Sequence, residues 1–517
     1  MSPSSSALPP LVPALYRWES TGAHKVQRRC VGAEAIVGLE EKNRKSLYDL
    51  FIATPLRNVA PASTSLTLRN LKDMFELALV EGRFEHPECA CTVSWDDQVA
   101  AIISYESPES DEAARDWARG CVHVQTTTKS AIDLWTEIEE GRAAGKDSAL
   151  SKPMELFLLS DVPTDSTPIP QGATVDILFH SNHVFWDGIA CRKFIGDLFR
   201  LVGNHIGLSD SAKTPKMQWG KEIKNLSPPV VDSLKLDIST LGTEFDDKCT
   251  EYTGALVANY KSRGMKFRPG LGLPRCSIYK LSAEDSIAII KAVKTRLGPG
   301  YTISQLTQAA IILALLDHLK PTDLLDDEFF ISPTSVDGRK WMREDIASNY
   351  YAMCQTAAVV RVENLKSIAV SHNDEKEIQV KALEKACRDI KKSYDQWLGN
   401  PFLEALGLRV HNFEASYLHE KPNPFEGTEA NPLFISDGVN ERFIPREIKR
   451  TATGEDVLSV ESIDFIVNQS LPYLAVRLDS WRDASTLNII YNDANYSEEE
   501  VQTYLKSVVE FMLAFKL

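Results

Sequence analysis

No stretch of this chain approaches the roughly 18 to 20 uninterrupted apolar residues that a membrane-spanning helix needs, so no span is expected. The start, Met1-Ser-Pro-Ser-Ser-Ser-Ala-Leu-Pro-Pro10, lacks the basic region and apolar stretch of a secretion signal. It reads instead as a disordered lead-in to a first folded element near Leu15 to Trp18. The ending Phe515-Lys516-Leu517 puts Phe where a peroxisomal address has a small residue, and a cytoplasmic protein is expected. Positive charge is in deficit: 57 Lys and Arg against 72 Asp and Glu leave −15 at neutral pH. That balance argues against nucleic acid or an anionic membrane as the main partner. There is no Gly-x-Ser-x-Gly elbow, no phosphate loop and no complete Gly-x-Gly-x-x-Gly; Gly270-Leu271-Gly272-Leu273-Pro274 stops short. Hydrolase, nucleotidase and dinucleotide-enzyme readings all lose support.

Cysteine is scattered and odd in number, nine in 517 residues, the pattern of reduced thiols in the cytosol. One cluster has metal-ligand types: His86, Cys89 and Cys91, with Cys121 and His123 further on. Its single-residue spacing departs from the usual zinc knuckle, and Cys91 to Trp95 and Val99 to Tyr105 read as paired strands in which Cys is a small apolar filler. No metal is expected. The length is too great for one core and suggests two large domains or a few smaller ones.

What is present is a short motif. His180-Ser181-Asn182-His183-Val184-Phe185-Trp186-Asp187-Gly188 contains His-x-x-x-Asp-Gly. Before it, Thr174 to Phe179 is a short run of branched and aromatic residues that reads as a buried strand. After it, Ile195, Leu198, Phe199 and Val202 stand at helical spacing. His183 therefore lies where a strand ends and a helix begins, on a rigid frame beside a cleft. A histidine there suits a general base that deprotonates a hydroxyl. The competing reading is a core histidine followed by an Asp that caps the next helix. Cys191, inside that helix, reads as a packing residue rather than a nucleophile.

The same pattern recurs late in the chain. Aligning Thr174 with Thr486 puts Asn495 in the place of His183 and Glu499 in that of Asp187, with Val501, Tyr504, Leu505, Val508, Val509 and Met512 forming the following helix. Two related halves are expected, of which only the first keeps the base. Residues 1–210 form the first lobe, 211–275 a long crossover poor in periodicity, and 276–517 the second lobe. Alternating strands and helices, including a strongly apolar helix from Thr302 to Leu316, give an α/β (α+β) architecture with a cleft between lobes.

Taken together, four features make the chain resemble the CoA-dependent acyltransferase superfamily of plant BAHD acyltransferases, peptide-synthetase condensation domains and chloramphenicol acetyltransferase. They are Asn182-His183-x-x-x-Asp187-Gly188, Val336-Asp337-Gly338-Arg339 with Ser348-Asn349-Tyr350, the Thr302 helix, and Leu487 to Asn492 with its closing helix. The plant Asp-Phe-Gly-Trp-Gly loop is missing; Leu433 to Phe443, including Asp437, stands in its place. Within the superfamily, length and whole-chain character are most similar to the fungal trichothecene 15-O-acetyltransferases.

The resemblance implies two chloramphenicol acetyltransferase-like lobes, each a mixed sheet with helices, around a tunnel. It implies acetyl-CoA as co-substrate, no permanently bound cofactor, and transfer to a hydroxylated apolar acceptor such as a sesquiterpenoid, by a monomer. His183 would be the general base in a ternary complex. Asp187 would pair with Arg339 to lock the loop, and Gly188 would permit close backbone approach. Phe185 and Trp186 would be tunnel lining or core. For CoA phosphates the candidates are Lys261, Arg263, Lys266 and Arg268, four positive charges in a stretch with no acid; Arg442, Arg446, Lys449 and Arg450 form a second basic run. Two alternatives stay open: a free-standing condensation-type enzyme acting on carrier-bound thioesters and amines, and a catalytically silent relative that binds CoA or a ligand.

Overall fold

The apolar run at Thr174 becomes the strand Thr174–Ser181, between Leu50–Asn58 and Met154–Ser160 in a seven-stranded sheet. In the computed structural model, residues 8–44, 48–61, 63–96, 100–145, 152–207, 216–319, 324, 326–420, 427–469 and 471–517 are described. Every residue of Met154–Ser160 is buried, as a strand covered on both faces must be. Helices Leu68–Glu85 and Gly188–His205 pack on one face; Ala131–Ala143 packs on the other through Leu134, Trp135 and Ile138.

A second sheet carries the order Pro274–Lys280, Ala484–Asn492, Ala475–Trp481, Leu433–Val439, with only the last pair parallel. The helix Ile303–Leu319 lies under it, buried without a break from Leu306 to Leu316, which explains its apolar composition on every side. The parallel pair Leu433–Val439 and Ala475–Trp481 needs a crossover connection. That crossover runs through the other half. Glu455–Val460 and Asp464–Val467 both pair antiparallel with Leu50–Asn58, with Leu458 opposite Asn58 and Ile466 opposite Phe51. A division at residue 276 therefore omits an exchange: three strands of the later half complete the sheet of the earlier one.

The boundary at 210 and 211 lies outside the described residues, as do Met1 to Ala7 and Val99. Residues 216–275, which lack clear periodicity in the sequence, contain the sixteen-residue helix Thr243–Ala258. Its buried stripe is narrow, Phe245, Cys249 and Tyr252, and Tyr252 donates its hydroxyl to the Ala357 carbonyl at 2.9 Å. The lead-in is docked from residue 8 onward: Arg409 donates to the carbonyls of Leu8 (2.5 Å) and Pro9 (3.1 Å).

The second strand-turn-helix unit is Ala484–Asn492 followed by Glu498–Ala514. Its helix is capped by Ser497, not Glu499, so the second turn is the shorter one. The helix of the first unit is capped by Asp187.

Candidate active site

A cavity of about 350 Å³ opens at the turn that carries His183. One wall comes from the helix Ala33–Arg44, where Ala33, Ile36 and Val37 share a face by helical spacing. The opposite side carries Ser436, Asp437, Phe465, Val467 and Arg477, and the motif supplies His183, Asp187, Gly188 and Ile189. Both halves of the chain therefore build it.

Asn182 shapes the turn by accepting the Val184 N–H at 2.9 Å, an Asx turn. His183 Nδ1 lies 2.8 Å from the carbonyl of Trp186. A carbonyl only accepts, so Nδ1 carries the proton and Nε2 keeps its lone pair. Burial lowers the His183 pKa below its ordinary value and Arg477 adds to the effect, against the opposing pull of the Trp186 carbonyl and Asp187. The ring is therefore neutral near pH 7, with one nitrogen fixed to the backbone and the other open to whatever enters the cavity.

Asp187 serves two ends at once. Its Oδ1 accepts from Ile189 N (3.0 Å) and Ala190 N (2.8 Å), capping the helix Gly188–His205. Its Oδ2 accepts from Arg339 Nη1 at 2.9 Å and Cys354 N at 2.8 Å. Arg339 also donates to Asp337 (3.0 Å) and to the carbonyls of Tyr350 (3.1 Å) and Ala352 (3.1 Å). The capping reading and the ion-pair reading of Asp187 thus meet in one carboxylate, whose Oδ1 also accepts from Arg339 Nη2 at 3.3 Å. Gly338 has no room for a side chain, since a Cβ would stand 2.2 Å from the Glu404 carboxyl. Burial, helped by Asp337, pushes that carboxyl up to about 8, so it sits protonated under the Asp187–Arg339 pair. Gly188 is tight as well: a Cβ there would meet Arg192 at 3.1 Å and Phe465 at 3.2 Å.

A second buried charge group borders the cavity. Asp437 accepts from Arg477 Nε (2.9 Å) and Nη2 (2.8 Å), and Arg192 Nη2 lies 3.2 Å away. Burial works to raise the Asp437 carboxyl, but the two guanidiniums outweigh it and hold it below the usual range. Both guanidiniums pack on the Phe465 ring, its centroid 4.2 Å from Arg192 and 4.5 Å from Arg477. Burial pushes nearby Asp479 up to about 7. Two arginines share one fully ionised carboxylate, so this edge of the cavity is positive.

The family model described as 15-O-acetyltransferase Tri3 matches residues 8–415. The chain belongs to the Tri3 family. It is 82% identical over 516 residues to the trichothecene 15-O-acetyltransferase TRI3 of Fusarium sporotrichioides, covering 99% of each chain. It is also similar to a solved structure of the TRI3 trichothecene 15-O-acetyltransferase from Fusarium sporotrichioides, with a TM-score of 0.96 and 81% identity over 99% of this chain and 100% of that one. The first condensation domain of the calcium-dependent antibiotic synthetase shares the fold alone: TM-score 0.58, 12% identity, 94% of this chain and 96% of that one.

Set in this Tri3-family fold, the other candidate residues fall into place or out of it. Trp186 is wholly buried, 4.6 Å from Phe194 and stacked on Phe179, so it is core and not cavity lining; its part in the site is its carbonyl. Phe185 is buried beside it. Cys191 is buried, and burial raises its thiol pKa. None of Lys261, Arg263, Lys266 and Arg268 lines the cavity. Arg268 makes a two-pronged pair with Glu500 (3.0 and 2.7 Å), and Arg263 lies 3.6 Å from both Glu328 and Glu429; Lys261 and Lys266 are exposed. Local sequence shows no acid in that stretch because its partners come from far along the chain. In the second basic run, Arg446, Lys449 and Arg450 face Glu441, Asp456 and Glu455. His86 stacks on Tyr351 at 3.7 Å and His123 lies 3.2 Å from Glu155; among the described residues no group of three or more His, Cys, Asp or Glu is placed to hold a metal ion.

Sequence reasoning missed Arg192, Arg477, Cys354 and His411. Arg192 had a local signal, a cation in the apolar helix four residues past Gly188. The others stand alone in their segments and acquire meaning only when the two halves meet.

Proposed function

We propose that this protein transfers the acetyl group of acetyl-CoA to the C-15 hydroxyl of a trichothecene, with His183 Nε2 as general base. Two things support this reading: Tri3-family membership across most of the chain, and the neutral His183 imidazole whose Nδ1–H is committed to the Trp186 carbonyl at 2.8 Å. The second is the observation that carries the mechanism.

With both substrates in the cavity, Nε2 takes the hydroxyl proton as the acceptor oxygen attacks the thioester carbonyl. The tetrahedral intermediate expels the CoA thiolate, which takes the proton back from Nε2. Positive charge on Arg477 stabilises the oxyanion. No acyl-enzyme is required. Cys354, the thiol on the cavity wall, is unsuited to form one, because burial, aided by Glu404, raises its pKa well above the ordinary value. Asp187 acts by position: it ties the helix start to Arg339 and so holds the turn in place. The proposed enzyme is a monomer, and all nine cysteines are free thiols, which favours the cytoplasm. No helix among the described residues is long and apolar enough to cross a membrane.

The test is product analysis. Purified protein, acetyl-CoA and a trichothecene with a free C-15 hydroxyl should give the 15-acetyl ester by mass spectrometry and NMR. Acetylation at another hydroxyl, or none, would overturn the assignment.

A further inference from the structure

His411 is a buried imidazole for which the acetyl-transfer chemistry has no use. It sits on the helix Leu403–Glu420, lines the cavity, and is 8% exposed. Its Nδ1 is buried without a hydrogen-bond partner. Burial alone sets its pKa, pushing it down to about 4, so the ring is neutral under working conditions and offers one donor and one acceptor. Leaving such a group unsatisfied costs free energy, and unlike the nitrogens of His123, His180 and His205 that also lack a hydrogen bond, it belongs to a residue of the cavity wall.

Its surroundings narrow the ligand. The helix carrying it packs against the helix Ala33–Arg44 and the strand Gln355–Val362. From these come Ala33, Ile36, Val37 and Ala357, an apolar wall, while the hydroxyl of Thr356 is already given to the Leu403 carbonyl at 3.3 Å. The next residue along, Asn412, is spent on structure: it accepts the Gly32 N–H at 2.8 Å and donates to the Tyr16 hydroxyl at 2.7 Å. The helix is therefore held firmly, and His411 faces a wall that is apolar apart from Gln355, whose amide N–H goes to Ser335 Oγ at 3.1 Å. That wall suits an apolar ring system with few oxygens.

We propose that His411 is a specificity residue that hydrogen-bonds an oxygen substituent of the acceptor other than the hydroxyl being acetylated. This rests on the proposed acetyl transfer to a trichothecene. The bond aligns the acceptor so that only one hydroxyl reaches His183, and an acceptor without that oxygen leaves the imidazole buried and unpaired.

The experiment is steady-state kinetics on wild type, His411→Phe and His411→Gln, using acetyl-CoA, the parent trichothecene and analogues each lacking one oxygen away from C-15. The Phe variant should lose about ten- to a hundredfold in kcat/KM for the parent acceptor, with the KM for acetyl-CoA unchanged. One analogue should already be slow with wild type and lose nothing further in the Phe variant. The Gln variant should recover part of the loss. A uniform loss across all acceptors, or a rise in the acetyl-CoA KM, would overturn the proposal. Acceptor binding by calorimetry to His183→Ala, with and without His411→Phe, separates the two readings. Weaker binding in the double variant supports the His411 contact even where turnover is absent, and equal binding overturns it; failure of wild type to acetylate any acceptor counts against the activity itself.

Discussion

Two strand-turn-helix units occupy equivalent places in the two halves, yet they do different work. Thr174–Ser181 and Ala484–Asn492 each lie inside a sheet, and each leads into a long helix capped by a side chain. At the turn they part. His183 commits one nitrogen to the backbone and keeps the other, whereas Asn495 gives its amide to the carbonyls of Arg268 (2.7 Å) and Gly270 (3.2 Å). Asp187 caps its helix and also reaches Arg339, while the capping hydroxyl of Ser497 bonds only within its own first turn. The difference shows what turns a structural junction into a reactive one: a ring with a spare nitrogen, and a cap long enough and charged enough to bind the other half. The second unit instead fastens the crossover segment down.

Exchanging the caps breaks the comparison most severely. Asp187→Ser keeps a helix cap like that of Ser497 but takes from Arg339 its buried anion, leaving it only the more exposed Asp337 carboxylate among the described residues. Breaking such a pair costs about 3 to 5 kcal/mol, so denaturant unfolding should show that loss and acetyl transfer should nearly vanish. Full activity in a variant of unchanged stability would mean that the cross-lobe pair is dispensable. Asn495→Ala should do the opposite. Two carbonyls of exposed residues lose a part-buried donor, at a cost of about 0.5 to 1.5 kcal/mol, while kcat per folded molecule stays close to wild type. A large fall in kcat would show that the second unit takes part in the chemistry.

The smallest effect is on pH dependence. His183 must be neutral to act, and burial holds its folded pKa below the ordinary value of 6.5. As pH falls through 6.5, kcat/KM should therefore remain flat and decline only further down. An acid limb centred above 6.5 would mean that the ring is stabilised in its charged form.

Much of this was legible in the sequence because the periodic signals are local. The strand at Thr174, the helix after it, the apolar Thr302 helix and the Asp-Gly-Arg turn all follow from runs of adjacent residues. The pairing of Asp187 with Arg339 followed from the family resemblance. What stayed hidden depends on long-range meetings. The strands Glu455–Val460 and Asp464–Val467 cross to the other half because a parallel neighbour forces a crossover, and no local pattern shows which sheet they will join. The helix Thr243–Ala258 was lost because its buried stripe is only one residue wide. The basic run at Lys261 suggested phosphate binding, since Glu328, Glu429 and Glu500, the acids that face two of its four charges, lie far along the chain. His411 was silent for the same reason: a lone histidine in a helix declares nothing until the cavity beside it is seen.

The central claim is that His183 is the base and that its counterpart in the second unit is not. Acetyl transfer from acetyl-CoA to the trichothecene C-15 hydroxyl, measured for His183→Ala at confirmed wild-type stability, tests it most directly. A fall in kcat of about a hundredfold or more, with the KM values for both substrates little changed, is the predicted result. Retention of wild-type kcat would contradict it and leave the proton transfer to another group in the cavity.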